Sequence, residues 1–218
     1  MSLANTFGRL RQSFLENTLT ILLLVSFSHG TLAENTYYGT GAGDGTNDVG
    51  ADNNVAFGEN ALGRGLTSTA DNNTAIGSNA LYSNTSGYLN SAVGYRALFS
   101  NTGGFHNSAF GYAAMENNTT GDYNTASGNY ALRNNTTGWS NNASGYTALS
   151  ANTTGAWNNA TGLAALTFNT TGNRNNATGQ GALYHNTTGS NNNASGHQAL
   201  WYNTTGDGNS ALGYYALR

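Results

Sequence analysis

The sequence predicts an all-β fold, a parallel β-solenoid of about ten coils of 17 residues each. Three observations point there. One unit repeats without a gap from Asn73 onward, the tetrad Asn-Thr-Thr-Gly falls at the same place in nearly every unit, and Asn, Ala and Gly alternate at fixed positions ahead of it. Self-similarity at a fixed period marks a repeat architecture, in which a unit too small to bury its own apolar face must stack on its neighbours.

From Asn73 the copies read NTAIGSNALYSNTSGYL, NSAVGYRALFSNTGGFH, NSAFGYAAMENNTTGDY and NTASGNYALRNNTTGWS, and the register holds to NSALGYYALR. An earlier copy from Asn54 carries two extra residues, so residues 54–218 form a tandem array of ten copies, the last cut at ten residues. Position 1 is always Asn, position 3 Ala, position 5 Gly and position 8 Ala; position 9 is Leu, with Met115 once. Positions 12–15 read as at Asn152-Thr153-Thr154-Gly155, with Ser86 and Gly103 as variants.

Such a unit suits strands rather than helices. Asn-Thr-Thr-Gly is turn chemistry, because Asn bonds its own backbone and Gly accepts positive φ. Positions 1, 3 and 5 alternate, which places Asn, Ala and Gly on one face of a short strand and positions 2 and 4 on the other. Ala-Leu at positions 8 and 9 is expected to start a second short strand. Two strands and two turns then close one coil, and ten coils stacked about 4.8 Å apart make a rod roughly 45–50 Å long. The expected core ladder runs through Ala75, Gly77, Ala80, Leu81, Ala126, Gly128, Leu132, Leu149, Leu166 and Leu183. Asn at position 1 is expected to cap a turn, and identical side chains should stack as ladders along the rod.

Composition alone suggests disorder: 8% of residues are charged, Lys, Pro and Cys are absent, and Gly numbers 30 of 218. Strict periodicity overrides that reading. A net charge of −3 offers no basic patch for nucleic acid or anionic lipid. Without Cys there is no disulfide and no thiol chemistry. Ahead of the array, Arg9 and Arg11 precede the apolar run Leu19 to Phe27, followed by small residues to Ala33. A basic start, a short apolar stretch and a small residue at the cut predict a secretory signal peptide over 1–33. Residues 34–53, rich in Gly and Asp, are expected to be an irregular N-terminal segment or a cap.

The unit N-[TS]-A-[IVF]-G-x-x-A-L, seen as NTAIGSNAL, NSAVGYRAL and NSAFGYAAM, resembles the head repeats of YadA-like trimeric autotransporter adhesins. It is also similar to repeats in bacterial and phage tail-fibre-like proteins. The resemblance spans residues 54–218 and implies a left-handed β-roll that trimerises side by side and binds extracellular matrix or host surfaces. Two departures stand out: neither a coiled-coil stalk nor a membrane β-barrel follows the repeats here, and the unit is longer than the usual head repeat. Position 4, which could face a trimer axis, is apolar at Phe57, Ile76, Val93, Phe110 and Leu212 but polar at Ser127, Ser144, Thr161, Thr178 and Ser195.

Several residues are candidate sites, each with a plainer reading. Sequons place candidate glycosylation at Asn84, Asn118, Asn135, Asn152, Asn169, Asn186 and Asn203, and at position 2 in Asn142, Asn159, Asn176 and Asn193; turn chemistry repeated by the unit explains the first set equally. Asp44, Asn47, Asp48 and Asp52 are oxygen ligands at short spacing around Gly, a calcium candidate that lacks the full EF-hand pattern. His106, His185 and His197 fall in three different columns and form no metal set. Aromatics at Tyr95, Tyr112, Trp139, Tyr146, Trp157 and Trp201 suit sugar stacking or protein contact, or else pack between coils. Nothing places a base beside a nucleophile, and neither cofactor nor catalysis is expected.

The sequence therefore points to a secreted or cell-surface, non-enzymatic, adhesin-like or fibre-like rod. Its expected partners are copies of itself, as a trimer or a head-to-tail filament, and a host-matrix protein or glycan; nucleic acid and membrane insertion of the mature chain are not expected. A filament subunit and an ice-binding solenoid are the alternative readings.

Overall fold

A computed structural model describes residues 35–43 and 51–218. The predicted signal peptide lies outside the described residues, as do Asp44, Asn47 and Asp48. The fold is a parallel β-solenoid with no helix among the described residues. Eleven three-residue strands run β1 (Thr36–Tyr38), β2 (Val55–Phe57), β3 (Thr74–Ile76), β4 (Ser91–Val93), β5 (Ser108–Phe110), β6 (Thr125–Ser127), β7 (Asn142–Ser144), β8 (Asn159–Thr161), β9 (Asn176–Thr178), β10 (Asn193–Ser195) and β11 (Ser210–Leu212). They form one sheet in sequence order, each paired in parallel with the next. Register is fixed by the repeat itself, since Ala75, Ala92, Ala109 and their equivalents sit directly opposite one another.

The array begins one coil earlier than the repeat suggests. Residues 35–43, expected to be irregular or a cap, open with β1, whose Thr36, Tyr37 and Tyr38 pair with Val55, Ala56 and Phe57. Asn35 occupies position 1: its Oδ1 accepts from the Asn54 backbone N–H at 2.7 Å and its Nδ2 donates to the Ala51 carbonyl. Tyr37 stands where every later coil has Ala, and Gly43 where they have Leu, which hides the copy in the sequence. The next coil spreads its two extra residues around Leu66, a buried apolar residue in the place of the position-12 Asn.

The expected second strand is absent. Positions 7 and 9 both sit in the left-handed region, as at Asn79 (φ 60°) and Leu81 (φ 50°), and an extended strand cannot be built from such residues. The chain instead turns tightly through Ala-Leu, and that turn drives Leu into the interior. Leu62, Leu81, Leu98, Met115, Leu132, Leu149, Leu166 and Leu183 are wholly buried, beside the Ala of positions 3 and 8. Left-handed backbone costs an L-residue about 1–2 kcal/mol, while burying a Leu side chain gains about 1.5–3 kcal/mol. Two such residues per turn cost about 2–4 kcal/mol. The buried Leu offsets most of that cost, and the turn's bonds to the next coil, such as the Leu81 N–H to the Ala97 carbonyl at 3.0 Å, add to the gain.

Where strands end, coil-to-coil bonding continues. The Thr119, Thr120 and Gly121 N–H groups all donate to the Thr136 carbonyl, at 2.9, 3.2 and 3.2 Å, and the Thr119 hydroxyl donates to the same oxygen at 3.0 Å. The Asn-Thr-Thr-Gly tetrad is thus a clasp on the next coil as well as a turn.

Two buried Asn ladders complete the interior. At position 1, Asn107 Oδ1 accepts from both the backbone N–H and the Nδ2 of Asn124, and Asn124 Nδ2 also donates to the Gly138 carbonyl. At position 12, Asn135 Nδ2 donates to Asn118 Oδ1 at 2.7 Å and to the same Gly138 carbonyl at 2.8 Å. Position 1 therefore satisfies groups between coils as well as within its own turn. A narrow interior of Ala and Leu is held in register by amides bonded both within their own coil and to the coil before.

Candidate interaction surface

Strand alternation turns positions 2 and 4 outward on a single face of the sheet. Along its first half the position-4 column is apolar: Tyr38, Phe57, Ile76, Val93 and Phe110, with Phe57, Ile76 and Phe110 still 41%, 41% and 44% exposed. From β6 the column becomes Ser127, Ser144, Thr161, Thr178 and Ser195, and Leu212 follows in β11. Beside that polar half runs an exposed amide chain at position 2. Asn142 Nδ2 donates to Asn159 Oδ1, Asn159 to Asn176, and Asn176 to Asn193, at 2.7–2.8 Å. One sheet face therefore carries an apolar stretch and a charge-free lattice of donors and acceptors, end to end.

The candidate aromatics lie on the turns flanking this face, and they spend much of their surface on one another. Tyr95 stacks on Tyr112 at 5.2 Å between centroids, and Trp201 stacks on Tyr184 at 4.3 Å. Trp139 meets Trp157 edge-on at 4.0 Å, and Tyr146 meets Tyr130 edge-on at 6.1 Å. The stacked pairs cover ring faces, whereas the edge-on pairs leave faces open, and Tyr95, Tyr112, Trp139, Tyr146 and Trp157 all remain exposed. The histidines are used the same way: His106 stacks on Tyr123, His197 on Tyr214, and His185 lies parallel to both Phe168 and Tyr202. Among the described residues no group of three or more acidic or histidine side chains could hold a metal ion. Of the calcium candidates only Asp52 is described; it is exposed, and its backbone N–H bonds the Asp71 carboxylate at 2.8 Å.

Two phenols and a carboxyl titrate away from their ordinary values. Tyr112 is raised, first by the charge of the neighbouring Tyr130 phenol, with a side-chain hydrogen bond between the two adding to it. Tyr214 is raised by its hydrogen bond to Tyr215. Asp122 is raised by burial, against the opposing hydrogen bond that its carboxylate accepts from the Phe105 N–H.

Six of the seven turn-column sequon residues point inward. Asn84, Asn118, Asn135, Asn152, Asn169 and Asn186 are wholly buried, and Asn203, nearest the end of the array, is partly so. Both Nδ2 hydrogens of Asn118, Asn135, Asn152, Asn169, Asn186 and Asn203 are engaged in the position-12 ladder. A glycan on a buried member would have to occupy the interior of the rod, so the folded coil leaves no room for it there. The position-2 Asn residues, by contrast, are at the surface.

One polar cluster escaped the sequence reading. Glu116, almost buried, bridges Arg96 at 2.6 Å and Arg133 at 2.7 Å across three successive coils. Arg96 lies over the Phe99 ring and Arg133 over Tyr130. Glu116 and Arg133 share position 10 on successive coils, and Arg96 joins them from position 7 across the turn. The chain matches no protein-family model, no curated protein and no solved structure.

Proposed function

We propose that the chain is a secreted or cell-surface, non-enzymatic rod that binds an extracellular surface, of the kind its resemblance to adhesin head repeats implies. The carrying observation is the outer sheet face, where position-4 residues repeat in register and change from apolar to polar halfway along. Its apolar half suits side-by-side contact with further copies of the chain, because Phe57, Ile76 and Phe110 form one exposed stretch rather than scattered residues. The polar half remains free to face a surface, and identical coils make the contact multivalent.

Light scattering on residues 34–218, paired with binding to an immobilised extracellular-matrix film, tests this. A mass of three chains and retention on the film are expected. Phe57→Ser with Phe110→Ser should return the mass to one chain and weaken film binding by about a hundredfold through lost avidity. A single-chain mass for the unaltered protein removes the trimer, no retention removes the surface binding, and a mass that climbs with concentration favours the filament.

A second reading has its own observation. The Asn142, Asn159, Asn176 and Asn193 amides, beside Ser144, Thr161, Thr178 and Ser195, form an uncharged array that repeats every coil, a spacing suited to ordered water. The Asn-Thr-Thr turns do not supply it; the strands do. Ice binding predicts thermal hysteresis above the buffer value, lost in Asn159→Lys with Thr161→Lys, and hysteresis at the buffer value removes the idea.

A further inference from the structure

We infer that Tyr112 and Tyr130 form an oxidative cross-linking site, at which a peroxide acting through a haem peroxidase would couple the two rings into a covalent staple between adjacent coils. The inference stands apart from the surface-binding reading, because it concerns the turns and not the sheet face.

Tyr95, Tyr112, Tyr130 and Tyr146 come from four successive coils and form a continuous file. Their centroids are 5.2, 5.2 and 6.1 Å apart. Tyr95 and Tyr112 stack nearly parallel, which sets ring over ring. Tyr112 and Tyr130 instead meet edge-on at 72°, so that an edge of one ring, where the ortho carbons lie, is turned toward the other. That difference selects the pair. Phenol coupling joins the two carbons ortho to the hydroxyls, so it needs ring edges rather than ring faces to meet. Tyr112 is 45% exposed and Tyr130 partly so, and exposed side chains reorient within nanoseconds.

The step balances. Each phenol gives up one electron and one proton, leaving a phenoxyl radical. The two radicals join through a new bond between ortho carbons, and the hydrogens on those carbons return to the oxygens as the rings regain aromaticity. The protein loses two hydrogens in all, and one hydrogen peroxide is reduced to two waters. Tyr95, stacked on the far face of Tyr112, can pass an oxidising equivalent into the pair. In a chain with no Cys, such a bond would close a loop from residue 112 to 130 and add a covalent tie between two coils otherwise joined covalently only by the chain running on from one to the next.

Tyr214 and Tyr215 are a competing pair at 4.0 Å, but they are adjacent in sequence and close no loop. The test therefore uses the whole chain carrying Tyr215→Phe, held dilute, with horseradish-type haem peroxidase and hydrogen peroxide. Expected are dityrosine fluorescence, loss of two hydrogens from the single-chain mass, a mapped link between residues 112 and 130, and a higher denaturation midpoint. Yield per chain should not change on dilution. Tyr112→Phe and Tyr130→Phe should each remove most of the signal, and circular dichroism on each checks that the coil still forms. Tyr38→Phe should not matter, although Tyr38 is 71% exposed, because its ring neighbour is Phe57. Links only between chains, or a signal that survives both Phe variants, would overturn the proposal.

Discussion

Gly145→Ala is expected to destabilise the rod by about 3–5 kcal/mol, a large share of the total for a domain of this size. Two effects add. Gly145 has φ of 135°, far from any basin open to an L-residue. A Cβ there would also lie 2.5 Å from the carbonyl oxygen of Gly162, its counterpart in the next coil. That oxygen belongs to backbone already committed to neighbouring coils, so it cannot step aside without opening the stack. Gly103 supplies the contrast. Its φ is not in the left-handed region, and a Cβ would meet only the Ser86 hydroxyl, at 3.3 Å. Gly103→Ala should be neutral or stabilising by about 0.4–1 kcal/mol through the unfolded chain. Urea unfolding of both variants measures the gap, and equal midpoints would mean that coil contact does not set the need for glycine.

Much of this was legible in the sequence, because a repeat reports its own constraints. Ala75, Gly77, Ala80 and Leu81 could be placed inside from column invariance, and the structure buries the three with side chains completely. Columns could not reveal backbone conformation. Leu at position 9 reads as a strand residue by propensity, and only the paired left-handed residues at 7 and 9 show that the chain turns there. The coil of Asn35 was hidden for a related reason: Tyr37 and Gly43 break the columns, yet Asn35 and Gly39 keep the hydrogen bonds and the turn. The turn-column sequons carried two readings, and burial favours the turn chemistry over a glycan there. Asn-Thr-Thr is written once per coil because its amide bonds the next coil, and that need buries it. The Glu116–Arg133 pair stacks within one column, 17 residues apart, but Arg96 joins it from position 7 of the coil before, a juxtaposition that only the folded turn shows.

The position-12 ladder yields the second large effect, and position along the rod decides its size. Asn135 sits in the middle, wholly buried. Its Nδ2 serves Asn118 Oδ1 and the Gly138 carbonyl, and its Oδ1 receives Asn152 Nδ2 at 2.7 Å. Asn135→Leu fills the space but strands an acceptor on one side and a donor on the other, each costing about 1–3 kcal/mol, so a loss of about 3–5 kcal/mol is expected. Asn84 begins the ladder, against the apolar Leu66 of the preceding coil. Asn84→Leu strands only Asn101 Nδ2, which retains its bond to the Gly104 carbonyl, and should cost roughly half as much. Asn135→Asp adds a pH signature. The nitrogen that donated two hydrogens would become one oxygen facing the Asn118 and Gly138 oxygens, so the folded chain must keep the new carboxyl protonated, and its pKa rises above the unfolded value of about 4. The folded state then holds the proton that the unfolded state releases, so the stability deficit grows as pH climbs from about 4 toward the raised folded value and shrinks again in acid. Denaturant midpoints of the Asp variant across that range, set against the unaltered chain, check the sign. A deficit that is flat with pH would mean that the ladder admits water, and that the amides at position 12 are not sealed inside the coil.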